Sequence, residues 1–465
     1  MTPIFLILLL VLAQQHGQAA DTTHPNIIFI LADDMGYGDL QAFNPDSRIR
    51  TPHLTQLAES GMRFTDAHSG GSTCKPSRYA LLTGRFAARK ERFNDKSPII
   101  SEGRLTIASL LHAQGYHTAM VGKWHLGFER GGQEFNYDRP LRGGPVHRGF
   151  DSFFGMHASL DIQPYFYIRN NRAVMAATET VAASTSVGGR EEWNNIQGAF
   201  WRAGKISPDF RHEEVTQRFA GEACRVIKSH EADTPLFLYL ALPSPHTPWL
   251  PAKKFVGKSE AGMYGDFVMT VDDVVGQVLR AVDDSKLSDN TIVMFSSDNG
   301  PVWYEKDVDR FGHRSVGPLR GAKGSAWEGG HRVPFLVRWP GRIKAGSTSQ
   351  RTIAFSDVLA TLAEITSATE SVPVDSRSFA GAFTAEKDSE QRTSPVMHGR
   401  KVIRMGDWKL INTGGSRGFG ADRKRDYGIA LYNLREDLSE QENLARTMPQ
   451  KVEDLRDLIK ATLSR

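Results

Sequence analysis

Four short apolar runs constrain the fold of this chain more than any other feature of its sequence. They lie at 25–32, 235–242, 290–296 and 333–339. Each has the length of a strand and is apolar at nearly every position, which is typical of strands buried on both faces of a sheet. Segments with helical periodicity separate them, at 51–59, 76–82, 105–113, 263–282 and 355–365. This alternation predicts an α/β fold with a large, mainly parallel mixed sheet sandwiched by helices.

The alternation of long apolar strands and helices ends at about residue 372. Short strands are expected at 402–411 and 430–433, followed by a polar helix at 450–463. We therefore predict a catalytic domain at 21–371 and a small C-terminal α+β subdomain, with an antiparallel sheet and a terminal helix, at 372–465. The segment 170–207 is rich in Ala, Gly, Ser and Thr and has no periodicity, so we expect a long surface insertion there.

Charge and cysteine content exclude several classes of protein. The chain has 57 Lys and Arg residues against 53 Asp and Glu residues, and these charges are spread along it. A nucleic-acid partner is therefore not expected, because such proteins usually concentrate basic residues. Two cysteines cannot form a disulfide scaffold or a multi-cysteine zinc module.

The first 20 residues have the pattern of a signal peptide. An apolar run at 4–13 is shorter than the roughly 20 residues needed to span a bilayer, and small residues follow it at 17–20. The alternative is a buried N-terminal strand. The prediction is an exported chain, periplasmic or secreted, with no membrane anchor.

Oxygen-bearing side chains follow two of the predicted strands. Asp33 and Asp34 come after the first run, and Asp298 and Asn299 come after the third. In an open α/β sheet the carboxyl ends of the strands form the ligand site. Oxygen-only donors suit Ca²⁺ or Mg²⁺, so we predict a divalent metal site at this edge. Taken singly, the first pair is more often a helix cap beside a solvent-facing carboxylate, and the alternative for the second pair is an Asx turn before Gly300.

Cys74 stands at the predicted start of a helix whose first turn contains Pro76. Backbone N–H groups at a helix N-terminus favour an anion, and Arg78 lies one turn further on. Cys74 is therefore a candidate nucleophile. Cys224 lies within an amphipathic helix and is expected to be an inert packing residue.

Two histidines and two lysines are weaker candidates when taken alone. Lys123 and His125 are two residues apart, so in an extended segment their side chains point to one side. His246 follows the run at 235–242 in a proline-rich loop, and Lys323 lies in a loop between glycines. Each of them is equally explained as an exposed surface residue.

Two longer patterns resemble a known family. The segment 74–85 contains Cys-x-Pro-x-Arg followed by Thr-Gly-Arg, and the segment 115–127 contains Gly-Tyr-x-Thr and then Gly-Lys-Trp-His-Leu-Gly. They resemble, in order, the two signatures of the formylglycine-dependent sulfatases of the alkaline phosphatase-like superfamily. The resemblance covers about residues 25–440 and implies that fold, with hydrolysis of sulfate monoesters as the activity.

The resemblance also implies the cofactors and the site. A maturing enzyme would oxidise Cys74 to formylglycine, and Ca²⁺ would be the metal, with Mg²⁺ possible from the ligand types. The metal ligands implied are Asp33, Asp34, Asp298, Asn299 and residue 74. The sulfate-site residues implied are Arg78, Lys123, His125, His246 and Lys323, with Ser159 added by a shorter match.

In this interpretation the hydrated aldehyde at position 74 attacks sulfur, His246 protonates the departing alcohol and His125 is the base that permits release of sulfate. A phosphate or phosphonate monoester hydrolase is the nearest rival, and an inactive glycan-binding protein or a calcium-binding module is a further one. Aromatic side chains stack on sugars, which favours a sulfated saccharide over an aryl sulfate; ordinary loop packing is the alternative. The aromatic residues concerned are Trp193, Phe200, Trp201, Trp303 and Tyr304.

Overall fold

The structure is a computed structural model. It describes residues 24–90, 93–94, 97–130, 134–186, 193, 196–231, 233–384, 392–412 and 428–464. The predicted signal peptide at 1–20 lies outside these residues. None of the helices in the described part of the chain has the length and apolar character needed to cross a membrane.

Eighteen strands form one large sheet and three small ones within the described residues. In chain order they are β1 Asn26–Asp33, β2 Met62–Phe64, β3 Ala67–His68, β4 His117–Lys123, β5 Ser152–Met156, β6 Ile168–Arg169, β7 Arg172–Ala173, β8 Glu179–Val181, β9 Gly204–Ile206, β10 Leu236–Pro245, β11 Thr291–Ser297, β12 Phe335–Arg338, β13 Ser347–Ser349, β14 Ile353–Ala354, β15 Val396–Met397, β16 Val402–Met405, β17 Trp408–Asn412 and β18 Ile429–Asn433.

The α-helices of the described residues connect and cover these strands. They are α1 Pro52–Glu59, α2 Cys74–Thr83, α3 Ile107–Ala113, α4 Val215–Ser229, α5 Gly262–Asp283, α6 Glu305–Phe311, α7 Glu328–His331, α8 Asp357–Ile365 and α9 Pro449–Ser464. The predicted helices at 51–59, 76–82, 105–113, 263–282 and 355–365 are all present, with ends shifted by a few residues.

The large sheet is mixed, and its centre is parallel. Its strand order is β13-β2-β12-β11-β1-β10-β4-β5-β6-β7. The five central strands, β11 to β5 in that order, pair in parallel. The predicted strand at 333–339 is β12, which runs antiparallel to both of its neighbours. The expected large, mainly parallel mixed sheet is thus confirmed.

Helices bury both faces of this sheet, which explains why β1 is apolar at consecutive positions. Ile27 and Phe29 belong to one hydrophobic cluster, together with apolar residues of α2, α3 and α8. Ile28 and Ile30 point the other way, into a second cluster that includes residues of α1, α4 and α5. Because side chains alternate along a strand, a strand in the middle layer needs apolar residues on both sides.

The C-terminal part forms a four-stranded antiparallel sheet in the order β15-β16-β17-β18. Ile403 and Leu410 of this sheet pack with Leu455 and Ile459 of α9. The single strand predicted at 402–411 is wrong, because a hairpin turn divides it into β16 and β17. Gly406 lies in that turn with φ +57°, a conformation that glycine adopts without a Cβ clash.

The segment 170–207 is more ordered than the predicted surface insertion. β7 extends the large sheet, and β8 pairs with β9 in a separate ribbon. Trp193 and Gln197 are buried, with 4% and 0% of their surfaces exposed. The expectation of a wholly surface segment is therefore wrong, since its tryptophan packs into an aromatic cluster. Residues 187–192 and 194–195 lie outside the described part.

Candidate active site

The carboxyl ends of neighbouring strands bring the predicted site residues to one edge of the large sheet. β1 ends at Asp33 and β4 ends at Lys123. β10 ends one residue before His246, and β11 ends one residue before Asp298. These four strands are adjacent in the sheet, so their ends must converge. This is the edge at which open α/β sheets bind ligands.

Three of the predicted metal ligands, Asp34, Asp298 and Asn299, are joined by hydrogen bonds. The backbone N–H of Asp34 donates to Oδ1 of Asp298 (3.2 Å), and Nδ2 of Asn299 donates to Oδ1 of Asp34 (2.7 Å). Oδ1 of Asn299 is buried and accepts no hydrogen bond from the described residues. Possible ligand atoms of Asp33, Asp34, Cys74 and His246 lie within 4.8 Å of one another. Carboxylate oxygens with an unpartnered amide oxygen suit a hard divalent cation.

Three cationic side chains face these carboxylates. Nζ of Lys323 lies 2.6 Å from Oδ2 of Asp34, and Nζ of Lys123 forms an ion pair with Asp33. Arg78 donates from Nε (3.0 Å) and pairs through Nη2 (2.9 Å) with Oδ2 of Asp298. All of these groups are buried, so charge is balanced inside the cluster.

Burial and neighbouring charges shift the pKa values of two of the carboxyl groups in opposite directions. For Asp298, burial and then the negative charge of Asp33 raise the pKa to about 7. For Asp33, burial alone would raise the pKa, but Lys123, with help from the other cations, holds it well below its usual range. The two carboxyl groups share one site, so the ionised form is favoured at Asp33, which has the ammonium partner.

Cys74 is the first residue of α2, as the sequence predicts. Its Sγ lies 3.3 Å from Oδ1 of Asp33, which places the side chain at the carboxylate cluster. Burial, together with Asp298 and Asp33, raises the pKa of the thiol well above its usual range. The helix N-terminus therefore does not make the unmodified side chain a thiolate. Cys224 is partly buried in α4, outside this cluster.

The two histidines differ in their hydrogen bonding. His246 faces the carbonyl oxygen of Thr247 with Nδ1 (2.7 Å), so Nδ1 bears the proton and Nε2 points toward Oδ2 of Asp34 (3.7 Å). His125 is buried, and neither of its ring nitrogens has a hydrogen-bond partner among the described residues. Burial, then Lys123 and the other nearby cations, lower the pKa of His125 well below its usual range.

The expected extended geometry of Lys123 and His125 is wrong. β4 ends at Lys123, and His125 has a left-handed backbone with φ +57°. The backbone N–H of His125 donates to the carbonyl of His157 (3.0 Å), which brings the segment containing Ser159 alongside. Ser159 is buried, and its hydroxyl has no hydrogen-bond partner in the described part of the chain.

The aromatic residues proposed to stack on a sugar divide into two groups. Trp193 and Trp303 are buried together in a cluster with Phe311, at ring distances of 5.7 Å from Phe311 in both cases. Both are almost fully buried, and Trp303 also lines a cavity beside Tyr304. Phe200, Trp201 and Tyr304 are only partly buried, and Trp201 stacks on His212 at 4.7 Å.

Sequence reasoning missed a buried network behind Asp34. Asp39 accepts hydrogen bonds from the backbone N–H of Gly36 (2.6 Å), from the hydroxyl of Tyr264 (2.5 Å) and from Nε2 of His313 (2.8 Å). The same Tyr264 hydroxyl oxygen lies 3.2 Å from the carbonyl oxygen of Asp34. These contacts hold the loop in which Asp34 has φ +66°. The only sequence signal was the acidic Asp39 in a glycine-rich loop.

Comparison with known proteins identifies the family. The family described as Sulfatase matches residues 25–368. The chain is 32% identical to an N-acetylgalactosamine-6-O-sulfatase of Bacteroides thetaiotaomicron, over 97% of this chain and 95% of that protein. It is 31% identical to the human N-acetylgalactosamine-6-sulfatase, over 74% of this chain and 62% of that protein.

Solved structures agree with this assignment. A Bacteroides thetaiotaomicron protein from work on the metabolism of multiple glycosaminoglycans has a TM-score of 0.83 and 29% identity, and the match covers 95% of this chain and 100% of that one. The phosphonate monoester hydrolase of Agrobacterium radiobacter, at TM-score 0.61 and 17% identity, shares the fold alone. With an alkaline phosphatase-like sheet, its site residues at one edge and a family match over most of its length, this chain belongs to the sulfatase family and is a hydrolase of sulfate esters.

Proposed function

We propose that this enzyme removes 6-O-sulfate from N-acetylated hexosamine units of sulfated glycans. The named activity of the Bacteroides thetaiotaomicron relative supports this substrate class, because the alignment covers nearly the whole of both chains. The observation that carries the chemistry is the ring of Arg78, Lys123 and Lys323 beside three carboxylates at one sheet edge. A sulfate ester is an anion, and cations held in a buried site stabilise charge that develops on its oxygens.

We propose Asp33, Asp34, Asp298, Asn299 and residue 74 as the ligands of one Ca²⁺ ion. The unpartnered Oδ1 of Asn299 supports this, as does the oxygen-rich donor set. When bound, the ion would neutralise charge on the ester and polarise an S–O bond. Asp33 and Asp34 would hold it from the end of β1, and Asp298 and Asn299 from the loop that follows β11.

Position 74 is proposed to act as formylglycine, made from Cys74 by a maturing enzyme. The modified side chain would supply the nucleophilic oxygen. The start of α2 directs it at the carboxylate cluster, and Arg78 stands one turn further along the same helix face. Ser159, Lys123 and Lys323 are proposed to contact the sulfate group.

The histidines are proposed to move protons at two different steps. His246 presents Nε2 to the site, because the carbonyl of Thr247 engages Nδ1–H. With a second proton on Nε2, its imidazolium is proposed to protonate the departing sugar oxygen. His125 has no hydrogen-bond partner for its ring nitrogens among the described residues and is proposed to accept the proton that permits release of sulfate. We further propose a signal peptide at 1–20, export to the periplasm or beyond, and domains at 21–371 and 372–465.

Sulfate release from defined sugars tests this function. The matured enzyme would be assayed on the 6-sulfates and the 4-sulfate of N-acetylhexosamines, and on nitrophenyl sulfate and nitrophenyl phosphate. We expect turnover of a 6-sulfated hexosamine, none by Cys74→Ala, and full turnover by the control Cys224→Ala. Faster hydrolysis of nitrophenyl phosphate than of every sulfate would favour a phosphate monoester hydrolase instead.

A further inference from the structure

Three buried histidines meet where the C-terminal sheet lies against β3 and α7. His68 ends β3, His331 ends α7, and His398 follows β15; we call them the histidine cluster. One ring nitrogen from each lies within 4.8 Å of the others. None of the three belongs to the candidate active site, and the sequence analysis did not single out any of them.

The partners of two rings determine where their protons lie. Nε2 of His68 faces Oδ1 of Asp66 at 2.8 Å, and Nε2 of His331 faces the carbonyl oxygen of Ala326 at 3.2 Å. Nη1 of Arg404, 2.9 Å from Nε2 of His68, and Nζ of Lys409, 3.2 Å from Nε2 of His331, are donors that favour the opposite tautomers. Both oxygens only accept hydrogen bonds, and where these acceptors prevail both Nε2 atoms bear the protons. In a neutral imidazole the lone pair is then on Nδ1. The two Nδ1 atoms face each other at 3.2 Å.

Two facing lone pairs repel unless a cation or a proton lies between them. An imidazole whose second nitrogen donates to a carboxylate or a backbone carbonyl is the usual arrangement of a metal-bound histidine. Burial lowers the pKa of His68, His331 and His398 below the usual range, so the three rings are neutral and their lone pairs are available.

The buried ring of His398 is a second reason to expect a ligand in the histidine cluster. Only 7% of the surface of His398 is exposed, and neither ring nitrogen has a hydrogen-bond partner among the residues that the structure describes. Buried polar atoms normally have a partner, so these nitrogens call for one. The His398 ring stacks on His331 with centroids 3.6 Å apart. It must rotate to point a nitrogen at an ion between the other two rings, and no hydrogen bond opposes that rotation.

The surrounding charges favour an ion that binds imidazole. Asp66 is paired with Arg404 (2.6 Å) and Arg332 (3.2 Å), while Lys409 is paired with Glu328 (3.0 Å) and Glu440 (2.8 Å). These carboxylates already have cationic partners, so they offer little to a hard ion such as Ca²⁺. Affinity for a metal ion therefore has to come from the ring nitrogens, and imidazole ligands suit Zn²⁺ or Co²⁺.

We propose that His68, His331 and His398 bind one transition-metal ion of the Zn²⁺ class and thereby fasten the C-terminal sheet to β3 and α7. β3 and α7 belong to the part that carries Cys74 and Lys323, whereas β15 belongs to the C-terminal sheet. The ion would therefore cross-link two sheets that are otherwise joined by packing and ion pairs. This site is independent of the proposed sulfatase mechanism.

The competing account is a chain of hydrogen bonds without metal. Nζ of Lys409 lies 3.2 Å from Nε2 of His331 and could donate to it, after which Nδ1–H of His331 would donate to His68. That arrangement removes the proton from the contact with Ala326 and leaves both nitrogens of His398 without a partner. Metal binding and the hydrogen-bond chain make opposite predictions for added Zn²⁺.

The test is Zn²⁺ titration of the chelator-treated full chain with saturating Ca²⁺ present, in wild type and in Cys74→Ala, since that thiol could also bind zinc. We expect one equivalent of Zn²⁺ in both, a rise in the unfolding midpoint, and visible absorption bands of imidazole-bound Co²⁺ when Co²⁺ replaces it. His398→Gln should weaken Zn²⁺ binding by at least about 10-fold, and the control His212→Gln should not.

Two outcomes would overturn the proposal. One is a wild-type chain that binds no Zn²⁺ when Ca²⁺ is present; the other is a folded His398→Gln chain with wild-type Zn²⁺ affinity. Should His398→Gln fail to fold, the wild-type titration and the Co²⁺ spectrum still decide, because the hydrogen-bond chain predicts neither binding nor absorption bands.

Discussion

Nζ of Lys323 lies 2.6 Å from Oδ2 of Asp34, so a lysine from the loop between α6 and α7 neutralises the carboxylate that follows β1. The two residues are far apart in sequence. The backbone N–H of Lys323 donates to the carbonyl of Pro301, just after β11, and β11 neighbours β1 in the sheet. This pairing places a substrate-facing cation directly beside a proposed metal ligand. Loss of either residue should therefore disturb both anion binding and metal binding.

Asp298→Asn should weaken Ca²⁺ binding and abolish sulfate release. The change keeps the size of the side chain but removes a charge from the proposed ligand set and a partner from Arg78. Calorimetric Ca²⁺ titration and turnover measure the two effects, with exposed Asp289→Asn as the control. Full activity in a chelator-treated, metal-free wild type would refute the metal assignment.

Cys74 should be recovered as formylglycine when the enzyme is made in a host with a maturing enzyme. Mass spectrometry of the peptide that contains it should show the aldehyde, while Cys224 should remain a thiol. Cys74→Ala should be inactive with an unchanged unfolding midpoint, because the side chain is small and lies at a helix start. Fully active protein with an unmodified Cys74 would contradict the proposal.

His246→Ala should damage turnover of a sugar sulfate far more than turnover of nitrophenyl sulfate. A sugar alkoxide needs a proton to leave, whereas nitrophenolate leaves without one, and general acid catalysis is typically worth about 10²–10⁴-fold. His125→Ala should slow both substrates to a similar extent. Steady-state kinetics of both variants on both substrates decide, and equal losses for His246→Ala would mean that it is not the acid.

Gly300→Ala should abolish activity, although the change adds only a methyl group. A Cβ at Gly300 would lie 1.8 Å from the carbonyl oxygen of Gly329, so the backbone beside Asn299 has to move. The matched control is Gly221→Ala in α4, where a Cβ meets nothing within 4 Å and removal of a helical glycine is worth up to about 1 kcal/mol. Turnover and the denaturation midpoint of both variants distinguish a local effect on the site from a general loss of stability. Wild-type turnover in Gly300→Ala would show that the backbone beside Asn299 is not constrained.

His212 should make the fold sensitive to acid. Burial lowers its pKa from 6.5 to about 4, so the unfolded chain binds more protons between those values. Above pH 6.5 His212 does not lower the free energy of unfolding. As pH falls toward 4 the free energy of unfolding decreases by up to about 3 kcal/mol, because each pKa unit corresponds to about 1.4 kcal/mol. His212→Gln should flatten the free energy of unfolding over this range. Equal pH dependence in both chains would exclude His212 as the cause.

The sequence alone was sufficient to predict the layer architecture and most of the residues that gather at the candidate active site. Consecutive apolar residues such as Ile27 and Ile28 can be accommodated only in a strand covered on both faces, so their pattern determines a central parallel sheet. The acidic residues after β1 and β11 follow from the same reasoning, because parallel strands end at one edge. The local patterns around Cys74 and Lys123 were long enough to indicate a family.

Other features depended on contacts that no local pattern records. The left-handed backbone of His125 reflects its hydrogen bond to His157, and the burial of Trp193 depends on Trp303 and Phe311, which are distant in sequence. The network of Asp39, Tyr264 and His313 also joins three separate segments. The histidine cluster shows this most clearly, because each histidine alone is unremarkable in the sequence. Only the packing of one sheet against another brings them together, since side chains from separate elements acquire a shared environment when the tertiary structure forms.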